Sequence, residues 1–182
     1  MHRPLTAMLA LAALTIPQVA SAATCLEEKE VSGIVAFATP GVLETVSNTC
    51  KPHVGSKGFI ATRADAMVAN YGANRDAAWP LAKAAFLKFS GSGNEKADKA
   101  QELMAKLPDD VLKPLVEAAI STAVSDDVKP EQCGQIERLM EVMNRIQPQD
   151  SADLIATLMS LVGGGKSARS FQICPAPAVK KD

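Results

Sequence analysis

Four cysteines, Cys25, Cys50, Cys133 and Cys174, carry most of the covalent chemistry this chain has to offer. No two of them stand in the Cys-x-x-Cys spacing of a redox centre or zinc site, so their even number points to structure: two disulfides formed in an oxidising compartment. Histidine chemistry is thin. Of the two histidines, His2 belongs to the leader described below, which leaves His53, too little for a multi-histidine metal site or a Ser-His-Asp triad. Serine nucleophiles lack the Gly-x-Ser-x-Gly elbow. The run Gly163-Gly164-Gly165-Lys166-Ser167 looks like the end of a phosphate-binding loop. That loop needs a glycine where Ser160 stands and a strand ahead of it, so the run reads instead as a glycine helix stop.

Other candidates have bland explanations that fit better. Met67, Met104, Met140, Met143 and Met159 include the thioethers that hold copper(I), with Met140 and Met143 three apart; methionine is equally the flexible filler of helical cores. Asp109-Asp110 and Asp126-Asp127 lack calcium-loop spacing and sit where helix N-termini favour negative charge. Glu44 and Glu117 stand on otherwise apolar helices and read as solvent-facing; a carboxylate-only mechanism of the glycosidase kind stays open, because separation in space is invisible here. No cofactor or metal is expected. Recognition side chains gather in one stretch, Tyr71 to Trp79. It holds the only Tyr and the only Trp with Arg75 between them, residue types enriched in binding hot spots, and His53 is the further polar candidate. A helix corner is also an ordinary place to bury a tryptophan.

What positions these residues begins with a leader. Arg3 precedes an apolar run from Leu5 to Ile16, Pro17 ends it, and Ala20-Ser21-Ala22 supplies a small-x-small cleavage site, so residues 1–22 are expected to be a cleaved signal peptide. Cleavage one residue later fits the same rule. The run is too short for a membrane anchor, and no transmembrane segment is expected in the mature chain. A competing use of Cys25 is acylation as the first residue of a lipoprotein. Ala22-Ala23-Thr24 lacks the expected leucine, ends in threonine, and lipidation would strand an odd thiol.

The chain as a whole has a globular composition, 47% hydrophobic and 21% charged. A formal charge of −1, with 19 basic against 20 acidic residues, is far from the basic footprint of a nucleic-acid binder, and 4% aromatics leave no base-stacking platform. Apolar residues recur at helical spacing throughout, and no window alternates with period two. About eight helices are expected, as antiparallel hairpins in one all-α domain over residues 23–165, followed by an extended tail over residues 166–182 tied back through Cys174. Thr24 with Glu27 forms a capping box, Val31, Ile34, Val35 and Ala38 make a stripe, and Thr39-Pro40 opens a second helix carrying Leu43, Val46 and Cys50. That hairpin brings Cys25 to Cys50. The second places Cys133, ahead of Ile136, Leu139, Met140 and Met143, near Cys174 beyond the helix of Leu154, Ile155, Leu158 and Leu161. The expected bridges are therefore Cys25–Cys50 and Cys133–Cys174. Leu81, Phe89, Leu103 and Leu115 are expected on inward faces.

A short leader ahead of a two-disulfide helical domain resembles small exported proteins of the Gram-negative envelope, a likeness of build that implies no activity. The expected function is a protein-binding or structural module of the envelope, periplasmic in a Gram-negative cell and otherwise secreted, whose partner is another envelope protein. The alternatives are a carrier of a small apolar ligand or metal, and a carboxylate-dependent cell-wall enzyme. A binding module exposes an apolar patch, a carrier encloses a pocket, and an enzyme sets two carboxylates across a cleft.

Overall fold

The computed structural model describes residues 25–91, 95–163 and 173–174. The leader, residues 23–24, the Ser92–Asn94 break and most of the tail, including Lys166-Ser167, lie outside the described residues. Seven helices follow in order: α1 Glu28–Cys50, α2 Phe59–Gly72, α3 Arg75–Ser90, α4 Glu95–Ala105, α5 Asp109–Asp127, α6 Cys133–Met143 and α7 Pro148–Gly163. Short 3-10 turns at Lys51–His53 and Pro130–Gln132 lead out of α1 and into α6. The protein is all-α, as its periodicity implies.

The count is seven and not eight because Thr39-Pro40 does not start a helix. α1 runs straight through it for 23 residues. Proline in a helix interior removes the hydrogen bond to the carbonyl four residues back and crowds it, at about 3 kcal/mol. Thr39 Oγ1 donates to the carbonyl of Val35 at 2.6 Å, the local pattern of a hydroxyl folded back on its own helix. Burial outweighs the loss: Phe37 and Leu43 flank the proline, both essentially inaccessible, and a fully buried side chain of that size contributes roughly 1.5–3 kcal/mol. The cap is also shifted. Glu27 and not Thr24 opens α1, its backbone N–H donating to Glu30 Oε2 at 2.8 Å.

One long helix overturns the expected disulfides. Cys25 and Cys50 lie at opposite ends of a rod about 35 Å long at 1.5 Å per residue, beyond any bridge. The bonds present are Cys25–Cys174 and Cys50–Cys133, with Cα separations of 5.0 and 5.2 Å. They are nested, the outer tying the start of α1 to the tail and the inner tying the end of α1 to the start of α6. The tail is indeed tied back through Cys174, but to Cys25. The backbone N–H of Cys174 donates to the Leu26 carbonyl at 2.8 Å, and Ile173 lies parallel to Leu26. With its sulfur in this bond, Cys25 is not available for acylation.

The hairpin array is likewise replaced by a hub. α1 is packed by α3, α7, α2 and α5, so it is the core of the molecule and not half of a hairpin. Three buried clusters run along it. Leu26, Val31, Ala85 and Ala156 fill one end. Phe37, Trp79, Leu112 and Val116 fill the middle. Leu43, Val46, Met67, Tyr71 and Met140 surround the Cys50–Cys133 bridge. α1 approaches α3 closely at Gly33, where a Cβ would stand 2.3 Å from Leu81 Cβ and 3.2 Å from the Ala82 nitrogen.

A hub helix can satisfy only one face of each neighbour, and several apolar residues expected inside lie outside. Leu103, Leu115, Leu139, Leu154, Leu158 and Leu161 are each at least half exposed, and Leu81 and Phe89 are also exposed. α7 shows why. It turns Ser151, Ala152 and Ala156 toward α1, a small-residue face that lets the helices approach. Polar contacts hold that facing: Ser32 Oγ donates to Asp153 Oδ1, and Thr157 Oγ1 donates to Glu28 Oε1 at 2.7 Å. The leucines of α7 are then left outward.

Candidate functional site

The expected recognition residues do not form a surface. Tyr71 and Trp79 are buried, at 4% and 3% exposure. The Tyr71 hydroxyl donates to the Met143 carbonyl at 3.0 Å and shares a 2.9 Å hydrogen bond with Ser151 Oγ, joining the end of α6 to the start of α7. Trp79 packs on Phe37 with ring centroids 4.9 Å apart and the planes tilted by 47°, the guanidinium of Arg75 lies 4.7 Å over the Phe37 ring, and Lys113 lies 5.7 Å from the Trp79 ring. Arg75 pairs with Glu117, so that carboxylate faces α3 across the helix pair. His53 stands apart, exposed in the 3-10 turn after α1. It lies beyond the opposite end of α2 from Tyr71, a helix of 14 residues, which is about 20 Å at 1.5 Å per residue.

Ion pairs stitch α3 to its neighbours around this centre. Lys83 binds Asp109 at 2.7 Å, and Lys113 binds Asp76 at 2.5 Å. The Lys113 ammonium holds the Asp76 carboxyl below the usual carboxylate range. The Lys83 ammonium does the same for Asp109, and the neighbouring Trp79 indole lowers it further. Lys29 lowers Glu27 likewise. At the start of α1, Glu30 is a buried carboxylate held by Lys88 at 2.7 Å and by the Glu27 N–H. These groups are consumed by structure.

Among the described residues, two depressions flank α6, one on each side of it. The first is an open apolar groove of about 440 Å³. Its floor is α1 through Val35, Ala38 and Val42; Ile136 and Leu139 of α6 form one wall, and Ile155 of α7 stands in the other. α6 packs on α2 and not closely on α7, which is why a trough lies open above α1. The only lining side chain with a polar atom that is not sulfur is Thr39, and its hydroxyl already donates to Val35. Met140 and Met143 belong to this region, whereas Met159 packs at the Leu26 end, so the three thioethers do not converge. Among the described residues, no three His, Cys, Asp or Glu side chains are grouped to hold a metal.

The second is a polar cleft of about 650 Å³ between the start of α2 and the other face of α6. Lys57, Arg63, Arg138 and Arg145 line it with Glu137 and Glu141. The two carboxylates are one turn apart on the same wall. Glu137 Oε1 accepts from the Ile60 N–H at 3.1 Å, so it caps α2, and Gly58 permits that approach, since a Cβ there would stand 2.3 Å from Glu137 Oε1. Glu141 accepts from Arg145 at 3.3 Å.

Both depressions escaped sequence reasoning. On α6 the stripe Ile136, Leu139, Met140 and Met143 and the stripe Glu137, Arg138 and Glu141, continued by Arg145 just past its end, are legible as two faces of one helix. What each face meets depends on where α2 and α7 sit. Comparison with protein-family models, curated proteins and solved structures finds no match, so the reading of these two sites rests on their own geometry.

Proposed function

We propose that this protein is an exported, disulfide-stabilised helical module of the cell envelope that acts by binding another envelope protein and not by catalysis. The observation carrying this reading is the open apolar groove over α1, with the exposed Leu139 in its wall. An enclosed carrier cavity is shut from water; this trough is open along its length. Its lining offers no free donor or acceptor, so a buried polar group would go unpaired at about 1–3 kcal/mol. The fitting occupant is therefore the apolar face of an amphipathic helix from the partner, laid between α6 and α7. Export rests on the pattern of residues 1–22 and on two disulfides that suit an oxidising compartment, the periplasm in a Gram-negative cell and otherwise the exterior. Among the described residues, no helix is long and apolar enough to cross a membrane.

Native mass spectrometry of the mature protein, purified gently from its own envelope, tests this. A defined complex with a second polypeptide, lost on Leu139→Asp, is the expected result; a bare monomer for both proteins overturns it. A second reading, a carrier of a small apolar ligand, is favoured by the groove volume, which lies in the usual range for ligand sites of roughly 300–1,000 Å³. An added mass of a few hundred daltons, lost in the same variant, would move the assignment there.

A further inference from the structure

We infer that the polar cleft between α2 and α6 is a binding site for a phosphoryl group, separate from the apolar groove. Four cationic side chains line it against two carboxylates, in a chain whose overall formal charge is −1. Both carboxylates already have work, Glu137 on the first turn of α2 and Glu141 on Arg145. Lys57, Arg63 and Arg138 form no ion pair among the described residues, whereas the fourth cation, Arg145, is paired with Glu141. These three come from three different segments, the loop before α2, α2 itself and α6, and are exposed into the same concavity. Like charges gathered in a cleft repel one another and focus a positive field, a cost that a bound anion reverses.

The number and direction of the donors select the anion. A phosphate monoester carries a charge of about −1.5 to −2 and three acceptor oxygens, matching the excess of positive charge and approach from three directions. A lone carboxylate brings one charge and two coplanar oxygens, which a single arginine satisfies. The first turn of α2 adds its positive end to the same cleft, where Glu137 already demonstrates that an acidic oxygen sits well. In an envelope the group comes either from a small phosphorylated solute or from a phospholipid headgroup, and the chemistry that binds it is the same.

Inorganic pyrophosphate, titrated into the mature protein at low salt and followed by amide NMR shifts, tests the site directly. Saturable one-to-one binding is expected, with shifts concentrated at the start of α2 and on α6. The double variant Arg63→Gln/Arg138→Gln weakens it by about tenfold or more while leaving the circular dichroism spectrum unchanged, since neither side chain holds the fold. Flotation with phosphatidylcholine vesicles, with and without phosphatidic acid, separates the sources. Binding confined to phosphatidic acid vesicles and lost in the double variant assigns the site to a headgroup; binding of pyrophosphate without vesicle association assigns it to a solute. Absence of saturable binding to either probe, or binding that the double variant leaves unchanged, overturns the inference.

Discussion

Tyr71, Arg75 and Trp79 are the residues a reader of this chain would choose for recognition; Tyr71 and Trp79 are buried, and the half-buried Arg75 is paired with Glu117. Their chemistry is what makes them good at both tasks, since a large apolar body with one polar handle packs well against a core and against a partner alike. Burial decides between the two uses, and burial is not written in residue type. The ion pairs around them carry a testable consequence. Asp76 and Asp109 have carboxyls held below their ordinary range by Lys113 and Lys83, so the folded state binds fewer protons than the unfolded chain in acid. Their contribution is complete above the unfolded carboxylate range and is lost as pH falls through the lower folded values, below about pH 4. Melting temperature, followed from pH 7 to pH 2.5, should fall in that window. The variant Asp76→Asn/Asp109→Asn should melt slightly lower at pH 7 and lose less on acidification. Both aspartates are solvent-exposed, so the difference is expected to be small and to shrink further in high salt.

At the scale of elements, the decisive event is the continuity of α1 through Pro40. A local rule, that proline opens a helix, competes with a tertiary gain, the burial of an apolar rod on four sides, and the gain is larger. Gly33 serves the same rod. Glycine inside a helix costs about 1 kcal/mol relative to alanine, so on propensity alone Gly33→Ala should stabilise. The Cβ would instead meet Leu81 Cβ at 2.3 Å, with the Ala82 backbone nitrogen at 3.2 Å behind it, and α3 would have to withdraw along the largest interface in the molecule. Overpacking of this kind costs typically 1–3 kcal/mol. Urea unfolding of Gly33→Ala should therefore show a net loss of about 1 kcal/mol, and at most about 2, once the propensity gain is subtracted. Gly41 is the control. It lies on the same helix with nothing within 4 Å of its would-be Cβ, and Gly41→Ala should leave stability unchanged or raise it.

For the whole molecule, the nested disulfides bind the chain more strongly than the hairpin pairing would have. Their sequence separations are 149 and 83 residues. On the chain-entropy relation such loops are worth up to about 5 and 4.5 kcal/mol, against about 3.5 and 4 for Cys25–Cys50 and Cys133–Cys174. Both ends of the hub are thereby clamped, one to the tail and one to α6. Replacing Cys50 and Cys133 by serine should lower the urea midpoint markedly and release the start of α6, so that protection of α6 amides from hydrogen exchange falls more than that of α3. Equal loss in both helices would mean that the inner bridge supports the molecule globally and does not anchor α6 in particular.

The class of structure, the positions of most helices and the presence of two disulfides were legible in the residues alone, because helical periodicity, glycine stops and an even cysteine count are local or compositional signals. The stripe Ile136, Leu139, Met140 and Met143 lies within α6, and Leu154, Ile155, Leu158 and Leu161 lie within α7, as helical spacing implies. The leader belongs to the same kind of signal, though it lies outside the described residues. Pairing, topology and both depressions were not legible. Which cysteine meets which follows from whether α1 breaks at Pro40, and that is settled by the sum of burial along the whole rod. Which leucines remain outside follows from the choice of α7 to dock by Ser151, Ala152 and Ala156. Both are comparisons between faces of different elements, and a sequence lists each face without saying which one another helix will cover.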